Sequence, residues 1–250
     1  MKYKVIYVLR RLFGLKTYLF LFAILTIKRL KRYPFGDEFM HFISLIPNEG
    51  VVLDIGANIG LNTTPIAQLR PGVTVFCFEP IPLNISTLER VIRYFKLTNT
   101  KVFKIALGDT NGEIKMIVPI VSNVLMTGLS HNYQEESTTE ETEGEIITAI
   151  VKRLDDIPEI KNAEKVTAIK IDVENFEYYV LKGGQALINK HMPIIYSELW
   201  NNEVRTMTMD YLTSKGYVVK IFDGVKLIDF TDEDSFVNFF FIPSGVKIPA

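Results

Sequence analysis

The sequence predicts an α/β fold: a seven-stranded, mainly parallel sheet with helices on both faces and an antiparallel pair of strands at its C-terminal end. Three observations predict it. Short apolar, β-branched runs alternate with helically spaced segments between residues 51 and 215, and strands linked through helices must pair in parallel. The first run, Val51-Val52-Leu53, ends in Asp54 and is followed by Gly56 and Gly60, so a strand runs through a glycine turn into a helix. The last two runs, 217–222 and 238–242, stand about fifteen residues apart, which leaves room for a hairpin and none for a crossover helix.

The 250 residues, 48% hydrophobic and 23% charged, suit one α/β domain with additions. Residues 1–48 read as a basic, apolar, helical extension and residues 49–250 as the main domain. A single cysteine, Cys77, excludes an internal disulfide and a cysteine-rich zinc site, and its place in an apolar run marks it as core. Three scattered histidines, His41, His131 and His191, argue against a histidine metal centre. The net charge of −1 conceals a division. Residues 1–32 hold nine basic side chains and no acid, which leaves 19 basic against 29 acidic side chains, a net of −10, in the rest.

Taken in order, the extension divides into helices near 4–13 and 17–31. The apolar run 17–27 is eleven residues, against the roughly 20 a membrane span needs, and no small-residue cleavage site follows it. The segment therefore packs on the domain or on a second subunit, or lies on an anionic membrane with Leu19, Phe20, Phe22 and Ile24 buried in it. Nothing in it interleaves stacking aromatics with base-reading groups, so no nucleic-acid partner is expected. A helix at 61–69, a strand at 73–78, a helix at 82–95 and an alternating strand at 101–106 follow. Residues 112–118 alternate again as a hairpin or small added sheet. Within 119–145 a glutamate-rich stretch reads as a flexible acidic loop, placed where Ser130, His131 or Tyr133 could act from a lid. Then come a strand at 167–173, a helix at 176–189 with Gly183-Gly184 as a kink, a strand at 193–199 and a helix at 204–215 ending at Gly216.

The glycine turn is spaced D-x-G-x-x-x-G, not the G-x-G-x-x-G of a dinucleotide phosphate site, and the acid at its mouth repels phosphate. Asp54 suits a cationic or zwitterionic ligand, such as the amino-acid end of S-adenosylmethionine. Glu79 ends the second strand, 25 positions later, near the ~20-residue spacing at which an acid reaches a ribose diol. Asn84 could reach the same ligand. Ala106, Leu107 and Asp109 close the third strand; Asp109 either accepts from an adenine amino group or shapes the turn. Asp172, Glu174, Glu177 and Glu198 gather beyond strands four and five, where ligands bind in such sheets. Acids crowded in one cleft raise one another's pKa, and one can act as general base. Asp172 and Glu174 are the candidates, with Lys170 as counter-charge to Asp172. A second reading has Asp172, Glu198 and Asn201 or Asn202 holding magnesium; a third makes the acids structural helix-start charges.

At this point the chain resembles the FkbM-type, S-adenosylmethionine-dependent methyltransferases. The resemblance spans roughly residues 50–200. It rests on Asp54-Ile55-Gly56-Ala57-Asn58-Ile59-Gly60, Phe78-Glu79-Pro80, Ala106-Leu107-Gly108-Asp109, Arg153-Leu154-Asp155-Asp156, Lys170-Ile171-Asp172-Val173-Glu174-Asn175-Phe176-Glu177 and Ser197-Glu198-Leu199. It implies the class I methyltransferase fold and cofactor binding by the first two blocks, Asp54, Gly56, Ala57, Asn58, Gly60, Glu79 and Pro80 included. It also implies O-methylation, typically of a sugar or polyketide hydroxyl. Asn175 departs from the pattern, since the family usually has glycine there, and asparagine tolerates left-handed backbone angles.

The expected function is methyl transfer from S-adenosylmethionine to a hydroxyl of a small-molecule or glycan acceptor. The expected setting is the cytoplasm, with peripheral membrane contact through residues 1–32. The alternative is a cofactor-binding but catalytically silent module tethered by its N-terminus. A nicotinamide dehydrogenase lacks its third glycine. The oligomeric state is left open.

Overall fold

The structure is a computed structural model that describes residues 14–30, 37–121, 124–125, 131–132, 144–231 and 236–246. Helices α1 (Leu15–Leu30) and α2 (Asp37–Leu45) precede strand β1 (Gly50–Ile55), followed by α3 (Thr63–Leu69), β2 (Val73–Phe78), α4 (Pro82–Phe95) and β3 (Thr100–Phe103). Five strands come next: β4 (Ala106–Leu107), β5 (Gly112–Val121), β6 (Val124–Leu125), β7 (His131–Asn132) and β8 (Gly144–Lys152). A 3-10 turn, Leu154–Asp156, and α5 (Pro158–Lys161) lead to β9 (Val166–Ile171), α6 (Glu177–Gly183), α7 (Gln185–His191) and β10 (Ile194–Glu198). The chain then forms α8 (Glu203–Ser214), β11 (Tyr217–Phe222), β12 (Leu227–Asp229) and β13 (Asn238–Pro243). The expected helix near 4–13, Ser130, Tyr133, most of the glutamate-rich stretch and the side chain of His131 lie outside the described residues.

The main sheet runs β12-β11-β13-β10-β9-β1-β2-β3. Strands β3, β2, β1, β9 and β10 are mutually parallel, and β13 pairs antiparallel with both β10 and β11. The strand order reverses between β1 and β9, the place where doubly wound sheets open a crevice. The count is eight rather than the expected seven, because the connection to β13 adds the edge strand β12.

Side chains alternate between two cores. Leu53, Ile55, Ile169, Ile171 and Ile195 pack on one face under Val180, Leu181, Ile188 and Leu212. Val52, Val75, Cys77 and Ala168 pack on the other under Phe42, Ile43, Ile66 and Leu88. Cys77 is fully buried, as its apolar run implies. All six residues of β9 are buried, so Lys170 is a charge carried through the middle of the molecule.

Two elements differ from expectation. The strand expected at 101–106 is broken. β3 ends at Phe103, and Ala106-Leu107 leave the main sheet to pair with Val151-Lys152 of β8. With β5, β6 and β7 they form a five-stranded second sheet, which realises the added sheet expected at 112–118. The helix expected at 176–189 is two helices meeting at Gly184. There the Asp155 carboxylate accepts from the N–H groups of Ala186 and Leu187, both at 2.9 Å, capping α7 in the manner of an N-cap side chain.

Helix α1 packs on the domain. Ala23, Ile24 and Ile27 bury against Ile59 of the glycine turn and Val91 of α4, and burying each large aliphatic is worth about 1.5–3 kcal/mol.

Candidate active site

The corner after β1 is made by backbone. Gly56 has φ +74°, and a Cβ there would collide with the carbonyl oxygen of Asp172, so the loops after β1 and β9 meet only because position 56 is glycine. The N–H groups of Gly56 and Ala57 donate to the Phe78 carbonyl at 3.1 and 3.0 Å. Asn58, in the left-handed region at φ 49°, donates its N–H to Glu79 Oε2 at 2.8 Å. The turn is thus stitched to the tip of β2.

Asp54 does not reach the crevice. It is fully buried and accepts from the Thr63 hydroxyl through Oδ2, while Oδ1 stands 3.7 Å from Lys170 Nζ. The register explains the pair, since Asp54 of β1 lies opposite Lys170 of β9. The expected direct grip of Asp54 on a cationic ligand is therefore corrected. Its contribution is to hold Lys170, whose Nζ also donates to the Gly56 carbonyl at 3.1 Å and stands 3.5 Å from Asp172 Oδ2. Burial alone would depress this lysine, but the carboxylates of Asp172 and Asp54 outweigh it and hold the ammonium above its ordinary range.

Glu79 lines the crevice as expected, with Pro80 and Asn84 beside it. Its Oε1 accepts from Ile81 N at 2.9 Å and Asn84 Nδ2 at 3.2 Å. Burial pushes its pKa up to about 7 against these donors.

Of the remaining expected cofactor residues, Gly56, Asn58, Ala106 and Leu107 line the cleft. Ala57, Gly60 and Asp109 do not. Ala57 is core. Gly60, φ +88°, lets the turn pass Leu88 of α4, where a Cβ would lie 2.8 Å from a leucine methyl. Asp109 forms an ion pair with Lys182 at 3.0 Å. The cleft wall there is apolar instead, made of Phe78, Ile105, Ile114, Met116 and Phe176. Ile114 and Met116 come from the second sheet and were not among the expected site residues. Their i, i+2 spacing marked a common face but not what that face covers.

Asp172 and Glu174 both line the cleft. Burial, then the charges of Asp172 and Glu198, push Glu174 up to about 7. Glu177 has a structural part: it is buried and accepts from Val173 N at 3.1 Å. Glu174 and Asn175 are consecutive left-handed residues, φ 53° and 68°. Asn175 therefore adopts the turn that glycine usually makes, and its side chain accepts from Asn202 Nδ2. Asn202 Oδ1 accepts from Arg205 N at 3.2 Å, so this amide ties the loop to the start of α8.

A second cavity, about 720 Å³, opens beyond β9 and β10 between Phe39, Tyr196, Asn62, Asn238, Glu198 and Lys170. Asp172 lines both hollows.

Comparison with known proteins decides the family. Residues 54–219 match the Methyltransferase FkbM domain. The chain belongs to this family of methyltransferases. The chain is 26% identical over 197 residues to Methyltransferase 1 of Beauveria bassiana, covering 72% of this chain and 76% of that one. It is 29% identical over 168 residues to the 2-O-methyltransferase NoeI of Sinorhizobium fredii, covering 62% and 65%. It is 30% identical over 164 residues to the 31-O-demethyl-FK506 methyltransferase FkbM of Streptomyces tacrolimicus, covering 57% and 62%. The solved Methyltransferase FkbM of Methylobacillus flagellatus shares the fold at TM-score 0.53 and 19% identity, over 78% of this chain and 44% of that one. The chain thus spans under two thirds of the length of several proteins it matches.

S-adenosylmethionine is the cofactor of the FkbM methyltransferases, and the cleft fits it. Glu79 presents a carboxylate suited to the ribose diol, and the apolar wall from Phe78 to Met116 suits the flat adenine. Asp172 and Glu174 line this cleft and Asp54 does not. Among the described residues no helix is long and apolar enough to cross a membrane.

Proposed function

We propose that the protein transfers a methyl group to a hydroxyl of a sugar-like, glycolipid or polyketide-like acceptor bound in the second cavity. One observation carries this reading: Asp172 is the residue common to the linings of the cofactor cleft and that cavity. The sulfonium of the cofactor supplies an activated methyl, so the chain's task is mainly alignment. Asp172, steadied by Lys170 at 3.5 Å, orients the acceptor hydroxyl at the junction. Glu174, whose pKa is raised to about 7, would accept the hydroxyl proton from the cleft side, while bound S-adenosylmethionine would supply the methyl group. Carboxylate and amide residues share this lining with Phe39 and Tyr196, a mixture that suits a polyhydroxylated ring. The names of two relatives, a 2-O-methyltransferase and a 31-O-demethyl-FK506 methyltransferase, agree with oxygen as the acceptor atom.

The silent-module alternative rested on Asn175, and that residue keeps the turn. Calorimetry with S-adenosylmethionine, followed by transfer of labelled methyl to a glycan panel, tests the proposal. The expected result is cofactor binding with turnover that rises through about pH 7 as Glu174 ionises. Turnover unchanged in Glu174→Gln and Asp172→Asn would overturn it.

A further inference from the structure

We propose that helix α1 docks on an anionic lipid surface through the face it turns away from the domain. This goes beyond methyl transfer and does not depend on it. The helix is half used: Leu19, Ala23, Ile24 and Ile27 are buried. Leu21, Phe22 and Leu25 are 43%, 44% and 69% exposed. At 100° per residue these three fall, with Tyr18, Lys28 and Arg29, within an arc of about 120°, opposite the buried side. The outward face is thus an apolar strip closed by two cations at its C-terminal end.

Charge selects the occupant. Residues 1–32 carry nine basic side chains and no acid, against a net of −10 for the rest of the chain. Among the described residues Lys28 and Arg29 are exposed at the end of the outward face, and cations so placed draw a segment to a negative surface. A second copy packed in parallel on α1 would set Lys28 and Arg29 against their own counterparts. The 16-residue helix is about 24 Å long and none of the described helices can cross a membrane, so it lies in the interface. Tyr94, 47% exposed, receives a hydrogen bond from Lys28 Nζ at 2.7 Å and places an amphipathic ring at the rim, as interfacial tyrosines do. Because α1 packs on Ile59 of the glycine turn, docking would bring the cofactor corner near the lipid.

The test is co-sedimentation of the full chain with phosphatidylcholine vesicles, with and without about 30% phosphatidylserine, at low and raised salt. The expected result is binding at least about tenfold tighter to the anionic vesicles, weakened by salt. Combined Leu21→Glu, Phe22→Glu and Leu25→Glu should reduce it at least about tenfold with an unchanged circular dichroism spectrum. Leu25→Glu alone, at the most exposed position, should reduce it about threefold. No binding by the wild type, equal affinity for neutral vesicles, or undiminished binding by the variants would overturn the proposal. So would a vesicle-free dimer in sedimentation that the variants abolish, which would assign the face to a second copy.

Discussion

Asp54 and Asp172 end adjacent parallel strands, and both face the ammonium of Lys170, at 3.7 and 3.5 Å. One is sealed and the other is open. Asp54 is covered by α3 through Thr63, and its side chain is inaccessible; that of Asp172 is 36% exposed and borders two hollows. The difference teaches that an acid at a strand tip is a ligand-facing group only where the loop beyond it stays open. After β1 the glycine turn folds back over Asp54. After β9 the left-handed pair Glu174-Asn175 carries the chain away from Asp172.

Breaking the shared lysine should have the largest effect. Lys170→Met leaves Asp54 buried without a counter-charge, a loss of about 3–5 kcal/mol and roughly 10 °C in melting temperature for a domain of this size. A change within about 2 °C would mean that the three charges are not coupled. Asp172→Asn should separate the two acids. A fall in kcat of about 10²–10³-fold is expected, with thermal stability nearly unchanged. Asp54→Asn should do the reverse, lowering stability by about 1–3 kcal/mol while kcat falls far less than in Asp172→Asn. Equal kinetic losses in the two variants would erase the contrast.

A pH series sharpens the comparison further. Glu79 and Glu174 are raised from their ordinary carboxylate range to about 7, so between those values the folded chain binds protons that the unfolded chain releases. Stability is therefore greatest at the acid end of this window and falls as pH rises through about 7. Melting temperature should decline from about pH 5 to 7 and then level off, with a shallower slope in Glu174→Gln. The smallest effect belongs to Asp109→Ala. It removes an exposed ion pair worth under about 1 kcal/mol and should leave cofactor affinity unchanged in calorimetry.

Much of this was legible in the residues. Gly56 and Gly60 announced a turn, Glu79 a strand-tip acid, and the apolar runs a parallel sheet. The burial of Asp54 was not legible, because it depends on Thr63 and on Lys170, 116 positions away. The break after Phe103 was equally hidden. Residues 101–106 alternate as one strand would, and only the pairing of Ala106-Leu107 with β8 draws the chain out of the main sheet. For the same reason Ile114 and Met116 showed a shared face in the sequence but not the cleft that this face closes.

The most direct test is a crystal structure with S-adenosylhomocysteine. The account predicts the ribose within hydrogen-bonding reach of Glu79, the adenine against Ile114 and Met116, and the sulfur turned toward Asp172 and the cavity between Phe39 and Tyr196. A ligand whose sulfur faces away from Asp172, or that touches Asp54 directly, would contradict it.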